Sequence, residues 1–152
     1  MCSSDLRCAS LSDVGRVRSR NEGRCTCDPA LRLLAVADGM GGHAAGDVAS
    51  TLAIESLTSA LQKSTPETAT DADSRLRAAV STANAAILEA AAAGRSGMGT
   101  TIVAVLFDAA SLIVAHVGDS RLYRLRAGVL ESLTRDHSWV QNMIDVGFYS
   151  ER

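Results

Sequence analysis

Thr100-Thr101-Ile102-Val103-Ala104-Val105-Leu106-Phe107-Asp108-Ala109-Ala110-Ser111-Leu112-Ile113-Val114-Ala115-His116-Val117 decides the fold class. It reads as two strands, residues 100–107 and 111–117, joined by a three-residue turn. Two more follow at once, residues 121–126 and 129–133, joined by Ala127-Gly128. Such connections are too short for parallel crossovers, so the strands must run antiparallel. Residues 102–107 are apolar at every position, which predicts cover on both faces.

Upstream, residues 11–18 and 31–37 read as strands, with Asp28-Pro29 as the turn before the second. Residues 47–62 predict a helix whose Val48, Leu52, Ala53, Leu57, Ala60 and Leu61 share a face. After a polar loop with Pro66, Leu76, Val80, Ala83, Ile87 and Ala90 mark a second helix over residues 73–93. Asp73 would be its N-cap and Gly94 its stop. A third helix is expected to start near Asp136-His137 and to end near Gly147. The order β, β, α, α, meander, α predicts an α+β fold with helices on antiparallel sheet, not a doubly wound one.

The 152 residues suit one domain with a sizeable core. Hydrophobic residues make up 47% but aromatics only 3%, so that core is aliphatic. A net charge of -2 gives no basic field for nucleic acid. No apolar run approaches a membrane span, and residues 1–5 lack a secretory pattern, so a cytoplasmic protein is expected. Cys2, Cys8, Cys25 and Cys27 are poorly spaced for structural zinc, and in that compartment they are expected to be reduced thiols.

The residues with chemical potential surround Ala37-Asp38-Gly39-Met40-Gly41-Gly42-His43. A strand ending in Asp and breaking into glycine can offer a carboxylate and a close backbone carbonyl to a hard cation. Asp38, Glu22 and Asp119 supply oxygens suited to Mg²⁺ or Mn²⁺ rather than zinc, and Gly39 would add its carbonyl. Asp38 also suits a turn or a cap, and Gly118-Asp119-Ser120 on its own suits a tight turn. Arg18 is either an anion-binding fork or a strand-edge charge, one of the arginines at 16, 18, 20 and 24. His43 either moves a proton or caps a helix, whereas His116 reads as a satisfied core histidine. No serine or cysteine nucleophile motif and no P-loop is present, so water activated by a metal would be the nucleophile.

In combination these stretches resemble the N-terminal part of bacterial PPM-type (protein phosphatase 2C) serine/threonine phosphatases. The resemblance rests on Ser12-Asp13-Val14-Gly15-Arg16-Val17-Arg18, Asn21-Glu22, Val36-Ala37-Asp38-Gly39-Met40-Gly41-Gly42-His43, Met98-Gly99-Thr100-Thr101, Ala115-His116-Val117-Gly118-Asp119-Ser120-Arg121 and Leu133-Thr134-Arg135-Asp136-His137-Ser138, in the family's order. It implies residues 1–9 as a tail and residues 10–152 as an incomplete PPM domain, part of a sandwich of two antiparallel sheets flanked by helices. It further implies two or three Mn²⁺ or Mg²⁺ ions in the complete domain. Asp38 would bridge two ions, Gly39 would give its carbonyl to one, Glu22 would stand beside the second, and Asp119 would serve a third. Arg18 would bind the substrate phosphate and His43 would act as general acid. The implied reaction is hydrolysis of phosphoserine and phosphothreonine in proteins modified by bacterial Ser/Thr kinases.

Two departures accompany the resemblance. The family pattern reads Asn-Glu-Asp where this chain has Asn21-Glu22-Gly23, removing a carboxylate that helps to hold the metal site. The family's C-terminal section, with its Ser-Asp-Gly and Asp-Asn motifs, is not in these residues. The alternative implied is a catalytically impaired pseudophosphatase, or a module that binds phosphoproteins. A sheet lacking its later strands should also expose apolar faces.

Overall fold

The computed structural model describes residues 6–41, 45–64, 71–95, 97–108, 111–138, 141–142 and 145–146. The elements are β1 (Gly23–Asp28), β2 (Leu33–Met40), α1 (Ala45–Lys63), α2 (Ala72–Ala92), β3 (Gly99–Thr100), β4 (Ile102–Phe107), β5 (Leu112–Val117), β6 (Tyr123–Arg126) and β7 (Val129–Ser132). One antiparallel sheet has the order β1-β2-β4-β5, with β3 pairing the C-terminal end of β2. β6 and β7 form a separate hairpin. Its turn uses positive φ at Ala127 (50°) and Gly128 (79°), a type I′ geometry that matches strand twist. The fold is α+β with two antiparallel sheets, as the short connections require.

The large sheet has two unlike faces. Leu33, Ala35 and Ala37 of β2 with Ile102, Ala104 and Leu106 of β4 pack against Ala53, Leu57 and Leu61 of α1 and Leu76 and Ala79 of α2. Leu57 is fully buried, and its truncation to Ala should cost about 3 kcal/mol through transfer and cavity terms. The opposite face carries Cys25 and Cys27, Leu34, Val36 and Asp38, Val103 and Val105, and His116, as the register of facing pairs dictates. A cavity of about 700 Å³ lies over this face, bordered by residues 9–13 and by Leu122 before the hairpin. Val36 remains 49% exposed there, and Leu125, Val129 and Leu130 of the hairpin are exposed as well. Apolar surface is thus left open on this face and on the hairpin.

Several boundaries differ from expectation. Residues 11–18 form no strand: Asp13 Oδ1 accepts from Gly15 N at 2.7 Å, and Gly15 takes φ +74°, so a side-chain turn ends the extended run. The first strand is β1, an edge strand of mostly small and polar residues whose Cys and Thr alternate without an apolar pattern. β2 starts later than residue 31, because Arg32 has φ 55°, and runs on through Asp38 to Met40, because β1 and β3 pair that end.

Helix α1 turns Gly46, Ala49 and Ser50 inward beside Ala53, Leu57 and Leu61, while Val48 and Leu52 are only half-buried. Helix α2 is capped by Asp71 rather than Asp73; its side chain accepts from Ser74 N at 2.7 Å. Gly94, with φ 105°, follows the last turn as expected. At the third helix the cap is Ser138, whose Oγ accepts from Gln141 N, and Asn142 N donates to Ser138 O. The start moves past Asp136-His137 because both residues are engaged elsewhere; the end near Gly147 lies outside the described residues.

The thiol expectation is also corrected. Cys8 and Cys27 form a disulfide, because the outer face of β1 brings Cys27 to a Cα–Cα distance of 6.4 Å from Cys8. That separation is within bridging range. Cys25 is a free, half-buried thiol, and Cys2 lies outside the described residues.

Candidate active site

The end of β2 is the structural centre of the candidate residues. Gly39 N donates to the Glu22 carbonyl at 3.1 Å. A Cβ on Gly39 would stand 1.9 Å from Gly46 O, so the strand and the first turn of α1 touch backbone to backbone. Glu22's carboxylate lies against the same spot: a Cβ on Gly46 would be 2.9 Å from Glu22 Oε2. The Glu22 carbonyl accepts a second bond, 2.6 Å from Ser50 Oγ, and Ser50 is fully buried. Arg24 completes the brace. It donates to Gly23 O at 3.0 Å and pairs with Asp47 of α1.

Asp38 is exposed on the outer face, directly across the β1–β2 ladder from Gly23. Its backbone is held by Thr101: Thr101 N donates to Asp38 O at 2.9 Å, and Asp38 N donates to Thr101 Oγ1 at 3.0 Å. Thr101 Oγ1 is also 2.6 Å from Ser120 Oγ, in the turn that carries Asp119. That turn is fixed from its far side. Gly118 N donates to His137 Nδ1 at 3.3 Å, and His137 N returns a bond to Gly118 O at 2.8 Å. Arg121 grips Asp136 with two bonds, Nε to Oδ1 at 2.8 Å and Nη2 to Oδ2 at 2.6 Å. These bonds hold the Asp136 carboxyl below its ordinary range.

The structure therefore brings Glu22, Asp38, Gly39 and the Asp119 turn into one hydrogen-bonded assembly. Arg18 stands apart on an exposed turn, in a loop closed by a 2.7 Å bond from Asn21 Nδ2 to Ser12 Oγ. His43 lies outside the described residues. His116 departs from a satisfied core histidine: its Nε2 is buried without a hydrogen-bond partner among the described residues, and its ring lies 4.7 Å from that of His137. Nothing in the spacing of the sequence marks Thr101, Ser50 or Arg24 as site supports; only the paired strands and the helix start reveal them.

The protein phosphatase 2C family model matches residues 23–148. The chain belongs to the protein phosphatase 2C family. It is 44% identical over 144 residues to the serine/threonine protein phosphatase PstP of Mycobacterium tuberculosis, covering 93% of this chain and 27% of that protein. The serine/threonine phosphatase stp of Listeria monocytogenes is 39% identical over 146 residues, with 92% of this chain and 58% of the relative covered. Among solved structures, M. tuberculosis PstP/Ppp superposes with a TM-score of 0.84 at 43% identity, covering 93% of this chain and 59% of that one. The PstP catalytic domain in complex with two manganese ions gives 0.84 at 42% identity, covering 93% and 60%. The chain thus spans less than two thirds of each of these four proteins and structures.

The donors of this phosphatase 2C chain fit a hard divalent cation in kind: carboxylates at 22, 38 and 119, and a carbonyl at Gly39. They fall short in number, since among the described residues no three His, Cys, Asp or Glu side chains converge on one point. Among the same residues, no helix is long and apolar enough to cross a membrane.

Proposed function

We propose that residues 10–152 are the N-terminal part of a metal-dependent protein serine/threonine phosphatase domain, with residues 1–9 as a tail. The observation that carries this reading is the joining of Glu22, Gly39, Asp38 and the Asp119 turn by the bonds Gly39 N–Glu22 O, Asp38 N–Thr101 Oγ1 and Thr101 Oγ1–Ser120 Oγ. Asp38, Glu22, Asp119 and the Gly39 carbonyl would hold Mn²⁺ or Mg²⁺. Such an ion supplies Lewis acidity and positive charge for the hydrolysis of a phosphate monoester. Arg18, exposed and forked, would orient the phosphate of a phosphoserine or phosphothreonine protein, a product of Ser/Thr kinases. His43 would give a proton to the departing serine or threonine oxygen, which leaves as the free hydroxyl. The P–O ester bond breaks, water adds to phosphorus, and the products are inorganic phosphate and the free side chain.

A second reading, phosphoprotein binding without turnover, draws on Gly23 opposite Asp38 and on the shortage of converging acids among the described residues. Phosphate release from a phosphothreonine peptide, measured with and without Mn²⁺, decides between them. Metal-dependent release that is lost in Asp38→Ala supports the phosphatase. Peptide binding with no release at any metal concentration supports the binding module. Equal release from Asp38→Ala overturns the site assignment.

A further inference from the structure

Thr101 lies at the break between β3 and β4. In an unbroken antiparallel pair its carbonyl would accept from Asp38 N. Here the hydroxyl takes that place, while the Thr101 carbonyl accepts from Thr100 Oγ1 at 3.0 Å. The substitution points the Thr101 side chain at the neighbouring turn. There its hydroxyl meets Ser120, and its methyl fills the space over Gly118, where a Cβ would be 2.7 Å from Thr101 Cγ2. Gly118 has φ +104° and is open to that contact only because it has no side chain.

We infer that Thr101 is a positioning residue that couples Asp38 to Asp119, so that an ion held at one acid senses the other. The inference rests on the metal-site reading of Asp38 and Asp119. One hydroxyl binds the backbone of the first acid and the residue next to the second, with no bridging group between. The backbone of Asp38 and the side chain of Ser120 share that hydroxyl, and partners of this outer kind tune metal sites.

The test is Mn²⁺ titration of the full chain by calorimetry, with thermal midpoints recorded in parallel. Thr101→Val keeps the shape and loses the hydroxyl; we expect Mn²⁺ affinity to fall about tenfold, with Thr101→Ser close to the parent. Asp119→Ala should weaken binding in the parent, and its loss should be smaller in the Thr101→Val background, because the coupling is already cut. Ser120→Ala severs the same bond from the turn side and should reproduce that loss, which keeps the test valid if Thr101→Val folds poorly. Parent-like affinity in both Thr101→Val and Ser120→Ala, or additive effects with Asp119→Ala, overturns the inference. Unchanged Mn²⁺ binding in Asp38→Ala and Asp119→Ala overturns the metal reading and the inference with it. That failure is distinct, because it appears without any change at Thr101.

Discussion

Gly23 faces Asp38 directly across the β1–β2 ladder, on the outer face of the sheet. A Cβ at Gly23 would meet Asn21 Oδ1 at 3.3 Å and Ser12 Oγ at 3.6 Å, and the backbone needs no left-handed φ. Gly23→Asp should therefore fold and set a second carboxylate beside the first. Without metal, like charges in facing positions should cost up to about 1 kcal/mol. With Mn²⁺ the added oxygen donor should tighten binding about tenfold, since ligand charge sets affinity in such sites. Calorimetry with melts in the presence and absence of Mn²⁺ checks both; a variant that binds no tighter than the parent refutes the shared placement.

The Gly39–Gly46 approach predicts an intolerant pair. A methyl at Gly39 would overlap Gly46 O, and one at Gly46 would strike the Glu22 carboxylate and the Gly39 carbonyl carbon at 2.9 Å. Gly39→Ala can be accommodated only by parting strand from helix, at about 3 kcal/mol. Gly46→Ala has a flexible side chain as one neighbour and should cost less. Urea unfolding of the two variants should rank them in that order. Equal, small losses would show that β2 and α1 do not touch as described.

The meander, both long helices and the position of Asp38 near the end of a strand were legible because each follows from a pattern of apolar residues or a tight turn. β1 was not. An edge strand of Gly, Arg, Cys, Thr, Cys and Asp has no hydrophobic stripe, and its stability comes from pairing with β2. The cap at Asp71 rather than Asp73 is a choice between two acids two residues apart, which only the bond to Ser74 N decides. Arg24 reads in sequence like its neighbours at 16, 18 and 20, but register turns it to the helix face and Asp47. Thr101 was invisible as a support because its role depends on a ladder bond taken over by a side chain.

The Cys8–Cys27 disulfide closes a loop over a sequence separation of 19 and pins the segment that borders the outer-face cavity. Chain-entropy reasoning gives such a loop about 3 kcal/mol. Reduction, or Cys8→Ser, should lower the unfolding free energy by that amount, and non-reducing peptide mapping should recover the Cys8–Cys27 pair with Cys25 alkylated. A urea midpoint indifferent to reductant would count against the linkage.

The grip of Arg121 on Asp136 gives stability a defined pH dependence. Asp136 is depressed chiefly by the hydrogen bonds from Arg121 and further by the positive charge of that guanidinium and by His116 and His137, while burial opposes the shift. Its folded value thus lies below its unfolded value of about 4. The contribution is fully present above about pH 4 and is lost as the pH falls through the lower folded value. Asp136→Asn removes it at all pH values. The difference in unfolding free energy between parent and variant should therefore be widest near neutrality and close in strong acid. Because Arg121 and His137 both brace the Asp119 turn, the variant should also weaken Mn²⁺ binding at pH 7. Urea titrations between pH 2 and pH 7 read the first effect and calorimetry the second. A stability gap that stays constant across that range would mean that the carboxylate form of Asp136 does not carry the clamp.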